Sequence, residues 1–301
     1  MQPEIKTEIS TLFNIRYPII GAPMFLISNP ALVAAISNAG GLGTFAAMSY
    51  RTISEMQKAI HEIRELTDKP FGINLVLHKE HNPMVREQFQ VCLAEKIPLI
   101  ITSMGTPRTS IKEAHEKGLK VFCDVTNIKQ AAVVAKCGAD GIIAVSQGAG
   151  GHAGPISPFA LVLQIKEETN VPVIAAGAIS RGQHMSAAFC LGASAVSVGT
   201  RFIAAIESPA PEGYKKALIE ANSEDIIYSD LISGVHANWL RTSFEKWQKF
   251  QSDKNHDTGL KKWIDIWSAG HGVAQIHEVL SVSDIIENMV AEYHHLKKLL
   301  P

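Results

Sequence analysis

Cysteine is scarce in this chain of 301 residues: Cys92, Cys123, Cys137 and Cys190 stand singly, and no pair has C-x-x-C spacing. That excludes zinc knuckles and a disulfide framework, and it fits a reducing cytoplasm, the location expected here. Clusters of basic residues are missing as well. With 28 Lys and Arg against 29 Asp and Glu the formal net charge is −1, so there is no electrostatic footprint for nucleic acid. No apolar run approaches the ~18 residues of a membrane span, and the first residues lack a basic stretch followed by an apolar one. Neither membrane insertion nor export is expected, and no metal site is read. What the chain does have is apolar residues, 46% of the total, enough to bury a sizeable core. A small-molecule ligand is the expectation that remains.

Short, almost wholly apolar runs recur along the chain with helical stretches between them. They cover residues 18–21, 41–45, 71–75, 99–102, 120–124, 141–145, 171–175 and 195–198. Runs of this kind mark strands buried on both faces, and eight βα units match the (β/α)₈ TIM barrel, an α/β fold. The intervening segments carry helix signals. Asn29-Pro30 places a cap residue and a proline at a helix start, and Met56, Ala59, Ile60, Ile63 and Leu66 keep the three-and-four spacing of an amphipathic helix. Gly118, Gly138 and Gly192 each fall where a helix should close before the next strand.

The rhythm breaks after Phe202. Residues 208–267 contain Pro209, Pro211, Trp239, Trp247, Trp263 and a charged stretch over 245–262. This segment reads as a small, mainly helical cap inserted after the eighth strand and covering the active site. Residues 1–207 and 268–301, with a last helix over 282–300, form the barrel domain.

Ligands of such barrels bind at the C-terminal strand ends, with phosphate between the loops after strands 7 and 8. Ala176-Gly177-Ala178-Ile179-Ser180 and Gly199-Thr200-Arg201 occupy those loops. Small residues there can present backbone N–H groups to an anion. Arg201 either adds charge or pairs with a carboxylate elsewhere. After the sixth strand, Gln147-Gly148-Ala149-Gly150-Gly151-His152-Ala153-Gly154 sets one imidazole among four glycines. On the segment alone this is a titratable group delivered to a ligand, or an incidental histidine in a turn.

Gly21-Ala22-Pro23-Met24, Ala39-Gly40-Gly41-Leu42-Gly43, Phe71-Gly72-Ile73-Asn74-Leu75, the Gly150–Gly154 loop, Ala176-Gly177-Ala178-Ile179 and Gly199-Thr200-Arg201-Phe202 together resemble the nitronate monooxygenases, formerly called 2-nitropropane dioxygenases. The resemblance covers nearly the whole chain, including Ser233-Gly234-Val235 and Ser268-Ala269-Gly270. Flavin-dependent enoyl-acyl-carrier-protein reductases and some NAD(P)H:quinone reductases look similar.

The resemblance implies a barrel that binds FMN non-covalently and oxidises alkyl nitronates or nitroalkanes with O₂ to a carbonyl compound and nitrite. Ala22, Pro23 and Met24 would line the flavin through backbone contacts, and Asn74 would hydrogen-bond the ring unless its amide only satisfies local backbone. Gln147 and Gly151 would lie along it, and Ala176, Gly177, Ala178, Gly199 and Thr200 would form the phosphate loops. His152 would face the substrate as base or anchor. An NAD(P)H-dependent reductase of enoyl thioesters or quinones is the alternative, and a non-redox phosphate-binding barrel is a third reading.

Two positions depart from the family pattern. His271 follows Ser268-Ala269-Gly270 where many relatives carry Gln, and Asp124 ends strand 5 where some carry a basic residue near the cofactor. Asp124 either acts on the site or is structural, pairing with a lysine or capping the helix at Thr126-Asn127. Cys123 is expected in the core, and His294-His295 on the surface.

Overall fold

The computed structural model describes residues 2–252 and 261–299. Each of the eight apolar runs contains a strand: β1 (Ile19–Gly21), β2 (Gly43–Ala46), β3 (Phe71–Val76), β4 (Leu99–Ser103), β5 (Lys120–Val125), β6 (Gly141–Val145), β8 (Val173–Ala176) and β9 (Ala195–Val198). A two-residue β7 (Gly151–His152) lies between the sixth and seventh of them. The eight are joined in parallel in the order β1-β9-β8-β6-β5-β4-β3-β2. A parallel bridge between Ile20 and Leu42 links β1 to β2 and closes the TIM barrel.

Side chains alternate along each strand, so the barrel has two apolar layers. Ile20, Leu42, Leu99, Ile101, Phe122, Ile143 and Ile174 fill the interior. Ile19, Ile73, Ile100, Val121, Ala144, Ala175 and Val196 face the surrounding helices. Helices start where cap chemistry allows: the Asn29 side chain accepts from Leu32 N–H ahead of Pro30–Asn38, and Thr52 with Glu55 forms a capping box for Ile53–Leu66.

The short helix Glu8–Phe13 is an element the sequence reading omitted. It brings Ile9 and Phe13 into the interior layer, with Phe13 edge-on to Phe122 at 5.7 Å between ring centres. Each buried side chain of this size stabilises by about 1.5–3 kcal/mol.

The segment after β9 is rich in helix, with Glu212–Glu220 and Arg241–Ser252, and it also contains an antiparallel hairpin of β10 (Ile226–Ser229) and β11 (Ala237–Leu240). On its other edge β11 pairs antiparallel with β7, His152 opposite Ala237 and Gly151 opposite Asn238. The inserted segment therefore shares a sheet with the loop that follows β6. Ile232, Trp239, Phe244, Trp247 and Ile266 give it its own small core. Residues 253–260 of the charged stretch, and Leu300 at the expected end of the last helix, lie outside the described residues. The last helix runs Val282–Lys297. No helix among the described residues is long and apolar enough to cross a membrane.

Candidate active site

The C-terminal strand ends form a mouth with two unlike sides. On one side the inward positions are small: Ala22, Ala176 and Gly199. On the other, Asn74 (β3), Ser103 (β4) and Asp124 (β5) each stand two residues after an inward position and form a hydrogen-bonded arc. Asn74 Nδ2 donates to Ser103 Oγ at 2.6 Å, and Ser103 Oγ donates to Asp124 Oδ2 at 2.8 Å. Asn74 Nδ2 also donates to Ile101 O at 3.3 Å, while among the described residues its Oδ1 accepts no hydrogen bond. The amide thus satisfies local groups with its donors and keeps an acceptor over. Burial pushes the Asp124 carboxyl up to about 6, against the opposing pull of the Ser103 hydroxyl.

Three residues with left-handed backbone lie at the same end. Leu26, Met104 and Ala178, in the loops after β1, β4 and β8, have φ of +61°, +54° and +56°. Such values are uncommon for residues with a side chain, and Asn14 and Lys96 also adopt them where helices end.

A cup of backbone lies between the loops after β6, β8 and β9 and the stretch at Gly270 and His271 that follows the inserted segment. Gly177 has φ +119°, and a Cβ there would meet Ser146 Oγ at 2.3 Å. A Cβ on Gly270 would meet Gly148 O at 2.3 Å, so backbone packs directly on backbone. Gly148 O accepts from Ala178 N at 3.0 Å and His271 N at 3.1 Å. Thr200 Oγ1 accepts from Gly270 N at 2.9 Å. The N–H groups of Gly177, Gly199 and Thr200 donate to no protein acceptor among the described residues, and the Thr200 hydroxyl proton is likewise unspent. The buried Ser180 Oγ beside the cup has no partner either. Several backbone donors without acceptors on adjoining, closely packed loops suit a phosphate group.

Of the other flavin-lining positions expected, Ala22 N–H donates to Val198 O, and Met24 N–H donates to Ser28 Oγ. Ser28 Oγ returns a bond to Ala22 O, and Met24 O accepts from Ile27 and Ser28 N–H. Pro23 O is the one backbone polar group of the three without a protein partner among the described residues. Gln147 is exposed, with its backbone pinned and its side chain unbonded; Ala176 O accepts from Ser146. Arg201 turns away from the cup, donating to Glu278 O at 3.0 Å, and its burial lowers its pKa.

His152 stands beside the cup with an exposed flank, its ring edge-on to Trp263 at 5.1 Å. Its Nε2 lies 3.3 Å from Ser233 Oγ, and that hydroxyl donates its single proton to Val235 O at 2.9 Å. Towards His152 the oxygen can therefore only accept, which assigns the ring proton to Nε2 and leaves the Nδ1 lone pair free. Desolvation by the elements packed around it, and then the charge of nearby His81, hold the imidazole pKa below 6.5.

Three residues of this arrangement, Ser103, Trp263 and Asn238, were not singled out from the sequence, and Ser233 entered only within the resemblance. Ser103 links Asn74 to Asp124, Ser233 sets the His152 tautomer, and Trp263 walls its ring. Asn238, fully buried, donates from Nδ2 to Gln147 O at 2.7 Å and Ala149 O at 2.6 Å while its Oδ1 lacks a partner. The structural roles offered for Asp124 are not the ones found. It meets no lysine, and Asn127 caps the following helix by accepting from Gln130 N–H. His271 reaches the cup through its backbone, and desolvation lowers its pKa. His294, expected at the surface, is half-buried and bonds Pro3 O at 3.0 Å.

Comparison with known proteins adds the following. Residues 6–256 match the family model for nitronate monooxygenase. A nitronate monooxygenase of Paraburkholderia phytofirmans is 33% identical over 284 residues, 79% of this chain and 77% of that one. The structure of FabK from Thermotoga maritima is similar with a TM-score of 0.86 at 33% identity, covering 98% of both chains. A nitroalkane oxidase from Streptomyces ansochromogenes is similar with a TM-score of 0.86 at 27% identity, covering 97% of this chain and 99% of that one.

Proposed function

The chain belongs to the nitronate monooxygenase family of FMN-dependent oxidoreductases, and we propose that it oxidises nitroalkanes or alkyl nitronates with O₂ to a carbonyl compound and nitrite. The observation that carries this reading is an imidazole at the mouth, its Nε2 on Ser233 and its Nδ1 without a protein partner among the described residues, beside a cup of unspent N–H donors.

The N–H groups of Gly177, Gly199 and Thr200, with the Thr200 hydroxyl, would hold the FMN phosphate, and Ala176 and Ala178 would wall it. Asn74 Oδ1 would accept from the ring. Ala22, Pro23, Met24, Gln147 and Gly151 would border it, and the inserted segment would cover it. When bound, FMN would supply the redox chemistry between substrate and O₂. Every proton movement belongs to the protein. A nitroalkane is a weak carbon acid, and His152 Nδ1 would accept its α-proton, making the ring a cation. The same cation, with Nε2 held on Ser233, would stay beside the nitro oxygens and stabilise their new charge.

A second reading is supported by the full-length likeness to FabK and by the exposed apolar residues Phe25, Leu26 and Leu231 in the loops after β1 and β10. It is reduction of a thioester or quinone with NAD(P)H. One anaerobic experiment separates the two. The FMN-loaded protein is mixed in turn with 2-nitropropane, its nitronate, NADH and NADPH while the 450 nm absorbance is followed. Bleaching by the nitro compounds alone is the expected outcome, and rapid bleaching by a nicotinamide alone would replace it with the reductase.

A further inference from the structure

Asp124 has no task in the chemistry proposed above, yet it is the carboxyl of the mouth's inner layer. On β5 Phe122 faces the barrel interior while Cys123 and Val125 face the helices, so the two-residue period turns Asp124 to the mouth. From β4 it receives the Ser103 hydroxyl bond at 2.8 Å. From β6 it faces the apolar Ile143 and Val145, and Phe122 lies below it. The Cys123 thiol on the outer side of the strand feels its charge, and burial pushes that thiol up to about 12. His81 follows β3, His152 is on β7 and His271 opens a short 3-10 turn after the inserted segment, and none of them shifts the Asp124 carboxyl. No Lys, Arg or His among the described residues pairs with Asp124. Ionised, it places an uncompensated negative charge in the floor beneath the position a flavin ring would take.

We propose that Asp124 takes up one proton from solvent when the flavin bound at this mouth is reduced, so that the mouth carries the same net charge in both oxidation states. The proposal rests on the FMN reading above and is independent of which substrate supplies the electrons. Two electrons from the reductant and one proton enter the ring, which gains one negative charge. One further proton converts the Asp124 carboxylate to the neutral acid, which removes one. The mouth holds a single negative charge before and after.

Two negative charges facing each other in a desolvated site raise the proton affinity of the carboxyl about ten- to a hundredfold. Because burial already brings Asp124 to about 6, that rise carries it across neutrality. The Ser103 hydroxyl holds the carboxylate form and so keeps the oxidised site ionised at pH 7.

The test is the reduction potential of the FMN-loaded protein measured by spectroelectrochemistry from pH 6 to 8.5, whose slope counts protons per two electrons. The wild-type chain is expected to take up close to two protons near pH 7 and Asp124→Asn about one, with a higher potential at pH 8. His152→Asn keeps the wild-type count, which separates the carboxyl from the imidazole. Ser103→Ala, which spares the carboxyl, moves the two-proton region to higher pH and serves if Asp124→Asn does not fold. A wild-type count near one throughout, or an Asp124→Asn count equal to wild type, overturns the proposal alone. Failure of the wild-type chain to bind FMN overturns the flavin reading and this proposal with it.

Discussion

Replacing Gly270 by alanine tests whether the backbone cup is the anion site. The new Cβ would stand 2.3 Å from Gly148 O and 2.8 Å from Gly150 N, against an ordinary contact of 3.4 Å or more. Both neighbours are main chain, so relief requires a shift of about 1 Å in one of the two loops. Three hydrogen bonds of 2.9–3.1 Å meet there: Ala178 N–H and His271 N–H to Gly148 O, and Gly270 N–H to Thr200 Oγ1. A shift of that size stretches them beyond bonding range. At roughly 0.5–1.5 kcal/mol each, the loss is about 1.5–4.5 kcal/mol, or several degrees in Tm for a chain of this length. Thr200, released from its tether, also misplaces donors to the phosphate, so the FMN Kd should rise at least ~10-fold. Gly213→Ala is the control. It lies in helix Glu212–Glu220, where added helix propensity offsets the 3.3 Å contact with Trp267, and FMN affinity should hold. Isothermal titration with FMN and thermal melts of both variants decide the matter. An FMN Kd within about threefold of wild type and an unchanged Tm in Gly270→Ala would refute the reasoning, because contacts this short leave no unstrained arrangement.

Other perturbations follow from the same geometry. His152→Asn should keep FMN bound while turnover of neutral nitroalkane falls at least ~10²-fold, the scale for losing a general base. Because burial holds the His152 pKa below 6.5, wild-type kcat/KM for the neutral nitroalkane should be level above that pH and fall as acid protonates the ring; a His152→Asn profile retaining this fall assigns it elsewhere. Asn238→Ala removes the bonds to Gln147 O and Ala149 O, and it also removes the unpartnered Oδ1, so the net loss should be about 1–2 kcal/mol. Urea unfolding measures it, and no change would show that the loop holds itself. Burial raises the Asp140 pKa, but Val121 N–H, His115 and Lys120 outweigh it and hold the carboxyl below its usual range. A depressed folded pKa gives stability present above about pH 4 and lost as acid titrates through the folded value. Asp140→Asn should be less stable at pH 7 with a flatter acid limb in pH-dependent unfolding, and an unchanged limb would discount this cluster.

The barrel was legible because a strand buried on both faces must be apolar throughout, and eight such runs can be counted. Glu8–Phe13 was not, since six residues carry too little periodicity, although Thr7 and Ser10 with Ile9 and Phe13 hold its cap and its buried face. The loops proposed to hold phosphate were readable from their glycines and their places after the last two strands. Asn74 and His152 drew attention as polar residues at strand ends. Their partners were hidden. Pairing Asn74 with Ser103 and Ser103 with Asp124 needs the register between neighbouring strands, which no single segment states. The two-residue alternation on β4 and β5 carried half of that signal, placing Ser103 after Ile101 and Asp124 after Phe122. Asn238 gave no local sign, and Ser233 was marked by its motif but not by its role, because both roles depend on a sheet joining distant parts of the chain.

That sheet also sets the order in which the protein can be assembled. β7 is two residues long and pairs with no barrel strand among the described residues, so His152 takes its position only when Ala237 and Asn238 arrive beside it, about 85 residues later in the chain. Loop closure over that span makes the contact late relative to the local βα pairings. During synthesis all eight barrel strands leave the ribosome before the residues that place the histidine. A nascent barrel at that stage has its strands but lacks the pairing that holds the proposed base in place, and activity regained during refolding should lag behind recovery of the barrel's secondary structure.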